Sequence, residues 1–325
     1  MTEIAASLTQ PELSIIIPTY NRVAVLLQSL ETVDTEGSTA PFEIIVVSDG
    51  STDGTVDAVR SGDYSRPIRV VEQPNSGAAS ARNHGARLAQ AENLLFIDDD
   101  MRAKRGLVDA HVAALATAEV SIGRMAFDES SPRTILSGYV ADWAEEFHQQ
   151  LLERGVTSGF DILSGHLAIR SDVFARLGGF GEEYTQAGRY GNEDLDFGIR
   201  IMRSGAKVVY TPDACTKQLY VVTGAQKFKQ TRDMAANDAL LAVNGEEAAA
   251  LFELRKHTVG EVRNRVADRA SRRWPHTTYV ATAPLRRITE WLIHQGYEHP
   301  TVHYWYGFHQ GLSYRAGLAD IDRQV

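Results

Sequence analysis

Leu94-Leu95-Phe96-Ile97-Asp98-Asp99-Asp100 is a strand-sized apolar run that ends abruptly in three carboxylates. A short continuous apolar run bounded by polar turn residues suits a strand buried on both faces. The pattern occurs three times upstream. Leu13–Ile17 stops at Pro18, Glu43–Val47 stops at Ser48-Asp49-Gly50-Ser51, and Ile68–Val71 precedes Pro74-Asn75-Ser76-Gly77. Helical segments lie between the strands. Asn21 is placed to cap a helix with Val23, Leu26, Leu27 and Leu30 on one face, and Asp53 to cap one carrying Val56 and Val59. The turn at Gly77 opens an alanine-rich helix reaching about Ala91. This alternation predicts βαβ units, a parallel sheet and right-handed crossovers.

Composition narrows the classes. A chain of 325 residues, 43% hydrophobic and 23% charged, has enough material for a sizeable core and for one large domain or two ordinary ones. The single cysteine, Cys215, excludes an internal disulfide and a cysteine zinc site. A net charge of −9 argues against a protein built to grip nucleic acid. The start, MTEIAASLTQPEL, has no basic n-region and no sustained apolar run, and no apolar run approaches bilayer length, so a soluble cytoplasmic protein is expected. Arginine outnumbers lysine by 27 to six, a bias consistent with a GC-rich coding sequence.

In open parallel sheets ligands bind beyond the carboxyl ends of the strands. Those ends carry Thr19-Tyr20-Asn21, Asp49 and Asp98-Asp99-Asp100, so three polar clusters are expected on one rim. Further along, Val120–Ala126 reads as a strand, Ser137–Arg154 as an amphipathic helix and Phe160–Ile169 as a loosely alternating strand. A helix over Glu193–Arg203 and a strand over Lys207–Tyr210 follow, and from about residue 224 the pattern is helical.

An Asp-x-Asp at a strand end can hold a hard divalent cation through one or two carboxylates plus substrate phosphates. Taken alone, three adjacent acids are equally a solvated face or a helix cap. Asp49 can accept from a base N–H or a ribose hydroxyl, while Asp53 reads better as a cap. Arg82, one turn into the Gly77-Ala78-Ala79-Ser80-Ala81-Arg82-Asn83-His84-Gly85 segment, is placed to reach a diphosphate. In Glu193-Asp194-Leu195-Asp196-Phe197-Gly198-Ile199-Arg200 the first-turn acids are held ionised by the helix dipole. An ionised carboxylate in a cleft is what deprotonating a hydroxyl requires, although helix capping explains such acids as well.

Taken in order, these segments resemble the family 2 glycosyltransferases of GT-A fold. The resemblance runs through Ser14–Arg22, Val47–Thr55, Gly77–Gly85, Phe96–Asp100 and Glu193–Arg200, over roughly residues 12–212. It implies a doubly wound mixed α/β sheet with a Rossmann-like nucleotide-binding half and a C-terminal helical extension. The domains expected are a tail over 1–12, a catalytic domain over 13–222, divided at 125/126 into nucleotide-sugar and acceptor halves, and a helical extension over 223–325.

The implied activity is inverting transfer from a nucleoside-diphosphate sugar (UDP, TDP or GDP) to an acceptor hydroxyl, assisted by Mn²⁺ or Mg²⁺. The resemblance assigns Pro18, Thr19, Tyr20, Arg22, Asp49, Gly77, Arg82, Asp98 and Asp99 to the nucleotide sugar, and Asp98 and Asp100 to the metal. Asp194 would be the general base, with Glu193 positioning the acceptor and Gly165 and His166 lining its side.

Two positions depart from the family pattern. Ser48 replaces an acid of the usual Asp-Asp-Gly-Ser motif, and Pro212-Asp213-Ala214-Cys215-Thr216-Lys217-Gln218 lacks the histidine that many relatives supply as a metal ligand, which implies either that Lys217 or Gln218 contacts phosphate instead or that metal dependence is weaker than the family norm. Retaining chemistry on the same fold and a nucleotide-sugar-binding subunit without turnover are the alternatives. A nucleotidyltransferase would be expected to have a glycine-rich basic loop where this chain has Pro18-Thr19-Tyr20-Asn21.

The segment from Arg255 to Arg287 holds nine basic residues against Glu261 and Asp268. A solvated helical face explains it, and so does contact with anionic lipid, an acceptor phosphate or a partner subunit. The aromatic stretch Val302–Leu318 suits core packing against the catalytic domain, stacking on sugar rings or a homo-oligomer interface.

Overall fold

The protein is described by a computed structural model that covers residues 10–321; residues 1–9 of the expected 1–12 tail lie outside the described residues. It forms two compact units. Of the described residues, the first takes in those up to 128 with 144–182 and 197–219, and the second takes in 129–143, 183–196 and those from 220 onward. The helical unit is therefore not confined to the expected 223–325, because it also takes two inserts from the middle of the chain.

The first unit is built on eight strands: β1 (Leu13–Thr19), β2 (Phe42–Asp49), β3 (Ile68–Gln73), β4 (Asn93–Ile97), β5 (Met101–Ala103), β6 (Val120–Phe127), β7 (His166–Arg170) and β8 (Val208–Gln218). They lie in the order β3-β2-β1-β4-β7-β6-β8-β5. The first four are mutually parallel, as the alternating pattern predicts. β7 runs antiparallel to both β4 and β6, so the sheet is mixed.

Helices α1 (Val23–Asp34), α2 (Thr55–Ser61), α3 (Ala78–Leu88) and α4 (Leu107–Leu115) follow strands. Later come α5 (Ile135–Arg154), α6 (Ser171–Arg176) and α7 (Glu193–Arg203). Successive residues of a strand face opposite sides, and β1 shows the consequence. Ile15 and Ile17 pack with Leu26, Leu30 and Leu107 from α1 and α4. Ile16 packs on the other face with Ala79, Phe174 and Phe197 from α3, α6 and α7. Gly85 permits this close helix–sheet approach, since a Cβ there would lie 2.5 Å from Ile16 Cγ2.

Local details differ from the sequence expectation. Asn21 does not cap α1. It sits in the left-handed region (φ 52°), and its Oδ1 accepts from Thr52 N at 2.7 Å. The amide of Val23 is instead satisfied by Asp53 Oδ2 at 2.9 Å, while Asp53 Oδ1 accepts from Thr55 N at 3.2 Å, so one aspartate serves two helix starts. Phe160–Ile169 is not one strand, because a 3₁₀ turn over Gly159–Asp161 precedes the short β7. Pro212–Ala214 forms no chain-reversing turn. It bulges within the long β8, where Gly123 pairs with Thr211 and Arg124 with Cys215.

The second unit holds α8 (Gly224–Ala242), α9 (Glu246–Thr258), α10 (Arg265–Arg273), α11 (Pro275–Ala281), α12 (Ala283–His294) and α13 (Pro300–Ile321). α8 starts with a capping box between Thr223 and Gln226. It packs along α13, with the rings of Phe228 and Tyr306 5.8 Å apart.

A buried polar pair joins α4 to β7. His111 Nε2 and His166 Nε2 are 2.9 Å apart, and neither residue is accessible to solvent. Burial holds His166 down at about 4, from an ordinary 6.5, and pushes His111 the same way. A depressed histidine gives stability that is complete above the unfolded value and is lost as pH falls. Unfolding free energy is therefore expected to drop between pH 6.5 and about 4, by about 3 kcal/mol for His166 alone. Urea denaturation across that range checks this: the slope should flatten in His166→Asn and persist in the wild-type chain.

Candidate functional site

The parallel strands end at one rim of the sheet, and their loops are tied together there. Asn21 N donates to Ser51 Oγ at 3.0 Å, joining the loops after β1 and β2. Asp49 is buried, and its oxygens accept from Gln73 Nε2, Ser76 N and Gly77 N, each at 2.8 Å. Asp49 thereby orders the turn that launches α3. Gly77 makes this turn with φ 95°, a region that suits glycine.

Asp98, Asp99 and Asp100 leave β4 at the centre of this rim. Thr19 Oγ1 donates to Asp99 Oδ2 at 2.8 Å. Arg22 spans the next two acids, with Nη1 2.9 Å from Asp99 and Nη2 3.0 Å from Asp100. Arg82 Nη2 contacts Asp98 Oδ1 at 2.6 Å, and its guanidinium lies 5.6 Å from the Phe180 ring centre. Arg22, expected at the nucleotide sugar, and Arg82, expected near a diphosphate, are counter-ions of the carboxylates. Pro18 is buried in β1, and Tyr20 stands exposed beside it.

Charge is nevertheless in excess. Burial drives Asp99 up to about 7, a rise that Arg22 only partly offsets. Burial likewise raises Asp100, whose Oδ1 is buried without a hydrogen-bond partner. The end of β8 reaches this acid: Met101 pairs with Gln218, the Gln218 side chain hydrogen-bonds Asp100, and Leu219 N donates to Asp100 O at 2.8 Å. Gln218, then, is the residue of the Pro212–Gln218 segment that reaches the carboxylates.

These oxygen donors fit a hard divalent cation. Among the described residues no three His, Cys, Asp or Glu side chains form a ready-made cage. Such a cation would share Asp98 and Asp100 with phosphate and water, as Mg²⁺ and Mn²⁺ commonly do.

Gly165 lies beside the carboxylates. Its carbonyl accepts from Asp98 N at 3.3 Å, and a Cβ on it would approach Asp98 Oδ2 to 3.0 Å. His166 is a correction. Its ring turns into the protein and bonds His111 and Thr216 Oγ1 (3.1 Å), so it faces no acceptor.

Glu193 and Asp194 belong to the second unit and open α7. Asp194 is half-buried, and its Oδ1 accepts from Leu195 N at 2.8 Å. The loop before them is pinned by residues that sequence reasoning missed. Asn192 adopts φ 74°, and its Nδ2 donates to Asp238 Oδ1 at 2.8 Å. Asp238 is almost wholly buried and also receives Arg255 and, at 2.8 Å, Tyr314 OH. Asn237 Nδ2 caps the carbonyls of Tyr184 (2.8 Å) and Gly191 (2.6 Å). The local sign was two poor helix formers, Asn237-Asp238, in the middle of a helix.

The profile described as Glycosyl transferase family 2 matches residues 14–178, just over half of the chain. The chain belongs to this family. Validoxylamine A glucosyltransferase of Streptomyces hygroscopicus subsp. limoneus is 35% identical over 224 residues, covering 60% of this chain and 49% of that protein. Hyaluronan synthase of Pasteurella multocida is 29% identical over 226 residues, covering 60% of this chain and 23% of the synthase. The chain thus spans half or less of the length of these curated relatives.

Two solved structures share the fold. Mannosyltransferase PcManGT from Pyrobaculum calidifontis, in complex with GDP-Man and Mn²⁺, superposes with a TM-score of 0.57 at 19% identity, covering 95% of this chain and 86% of that one. S. aureus TarS 1–349 in complex with UDP gives 0.51 at 18% identity, over 97% and 92% of the two chains. The family fold is thus the GT-A type, with a helical C-terminal region added.

Asp238→Asn would leave the Arg255 guanidinium without its buried counter-charge. Stability is expected to fall by about 3 kcal/mol, which chemical denaturation measures. Asp233→Asn, on the same helix but paired only with exposed Lys229, should change it by less than about 1 kcal/mol.

Proposed function

We propose that the chain transfers a sugar from a nucleoside-diphosphate sugar to an acceptor hydroxyl, with inversion at the anomeric carbon. The observation that carries this reading is the carboxylate turn at the end of β4, with excess negative charge and a buried, unpartnered Asp100 oxygen on the ligand-binding rim. Family membership and the Mn²⁺–GDP-Man and UDP complexes of the two structural neighbours support it.

In this reading Thr19 and Tyr20 frame the base, with Pro18, Arg22, Asp49, Gly77 and Asp99 shaping the walls around them. Asp98 and Asp100 hold the cation, Mn²⁺ or Mg²⁺, which when bound supplies positive charge to the departing diphosphate. Arg82 sets the position of Asp98 through its ion pair.

Asp194 takes the proton from the acceptor hydroxyl as that oxygen attacks the anomeric carbon from the face opposite the diphosphate. The new carbon–oxygen bond forms as the bond to the diphosphate breaks, and the nucleoside diphosphate leaves with the electron pair. Glu193 orients the acceptor, and Gly165 keeps the approach to Asp98 clear of a side chain. One base suffices, because a single displacement needs no enzyme nucleophile.

Two measurements test this. Thermal melting with UDP, GDP, TDP or CDP, each in Mn²⁺, Mg²⁺ or EDTA, is expected to show a rise for one nucleotide that disappears in EDTA. No rise with any of them would overturn the donor site. Asp194→Asn should keep that rise while lowering turnover by about 10²-fold or more; undiminished turnover would remove Asp194 as the base. NMR of the product's anomeric proton reads the stereochemistry, and retention would overturn inversion.

A further inference from the structure

Helices α10, α11 and α12 each pack on α13 and leave a second face in solvent. On α10 the exposed residues are Arg265, Val266, Arg269, Arg272 and Arg273, which recur at helical spacing along one side. Arg272 is paired with Asp268 at 3.1 Å. Arg265, Arg269 and Arg273 have no ion-pair partner among the described residues, and on α12 Arg287 forms no direct ion pair but acts through space on Glu290. In a chain of net charge −9, this leaves a local block of unneutralised positive charge.

The same three helices and the residue that joins α10 to α11 also expose large apolar side chains. Val266 is 79% exposed, Trp274 59%, Val280 67%, Leu285 45%, Ile288 56% and Trp291 55%. On α12, Leu285, Ile288 and Trp291 recur every three residues, so they share a stripe that would ordinarily be turned inward. The Arg273 guanidinium lies 5.8 Å from the Trp274 ring centre, which places charge and apolar surface side by side.

A partner for this face must be anionic and apolar at once. Nucleic acid offers phosphates but no layer to receive valine, leucine and isoleucine. A second copy in a two-fold dimer would set the same arginines against each other. The surface of an anionic bilayer meets both demands, with phosphates at the depth of the guanidinium groups and acyl chains just below. Tryptophan is the side chain most at home at that boundary. No helix among the described residues is long and apolar enough to cross a membrane, so the contact would lie in the surface plane.

We propose that α10–α12 form a docking face that seats the protein flat on an anionic lipid bilayer. Occupation of this face requires neither nucleotide nor metal.

Co-sedimentation of the full chain with vesicles tests it, using phosphatidylcholine alone and phosphatidylcholine mixed with phosphatidylglycerol, at low and high salt. The protein is expected to pellet with the mixed vesicles only, and less at high salt. Replacing one of the four arginines by alanine should lower partitioning about fivefold, and Arg265→Glu with Arg269→Glu and Arg273→Glu should abolish it. Trp274→Ser with Trp291→Ser should weaken binding and remove a lipid-induced blue shift of tryptophan fluorescence. These side chains are exposed, so the melting temperature should stay at the wild-type value in every variant, which separates lost docking from lost folding. Failure to pellet with either vesicle, or equal pelleting with both, would overturn the proposal. So would wild-type self-association in light scattering that the arginine variants abolish, because it would assign the face to a second copy.

Discussion

The ion pairs from Arg22 to Asp99 and Asp100 are the constraint on which the rim depends. Three consecutive carboxylates leave β4, and two of them are buried. Burial alone would neutralise them, as the rise of Asp99 to about 7 indicates. The guanidinium that opposes this comes from the loop after β1, the strand beside β4 in the sheet. Strand adjacency and site electrostatics are thus one requirement, since the charge can be held only if β1 and β4 pair in parallel with their ends level. Asp49 and Asp53 extend the same economy. Each satisfies backbone amides in neighbouring loops, so the rim is held by side-chain oxygens where strands no longer can hold it.

The helical unit has a comparable hub. Asp238 gathers Asn192, Arg255 and Tyr314 from a loop and two other helices. Such a charge is destabilising unless every lone pair is met, and here the partners meet it. The consequence for function is local: the left-handed Asn192 stands immediately before Glu193 and Asp194, so the hub fixes the entry of α7. The C-terminal helices are therefore part of the framework for the candidate base, and the insert 183–196 is tied to them by this hub.

Low identity to the structural neighbours is compatible with a shared fold because the sheet's core asks for apolar volume and alternation more than for particular residues. Departures from the family pattern are absorbed where chemistry permits. Ser48 is buried at the end of β2, while Asp49 beside it retains the contacts that order the next loop. Gln218 puts a neutral polar side chain on Asp100.

The sequence by itself determined the four parallel strands, the helices between them and the convergence of Thr19, Asp49 and Asp98–Asp100 on one rim. Buried parallel strands write themselves as unbroken apolar runs, and the polar residue that ends each run must lie at the rim. Long amphipathic segments such as α5 and α7 were legible for the same reason, as local periodicity reflects one buried face. Only the tertiary structure decided what depends on partners distant in the chain. It turned His166 inward onto His111, gave Asp53 rather than Asn21 to the start of α1, and made a bulge of Pro212–Ala214. It also bound Asp238 to Asn192 across 46 residues. Hydrogen bonds and ion pairs are satisfied by whichever group the fold brings near, and no local period records that choice.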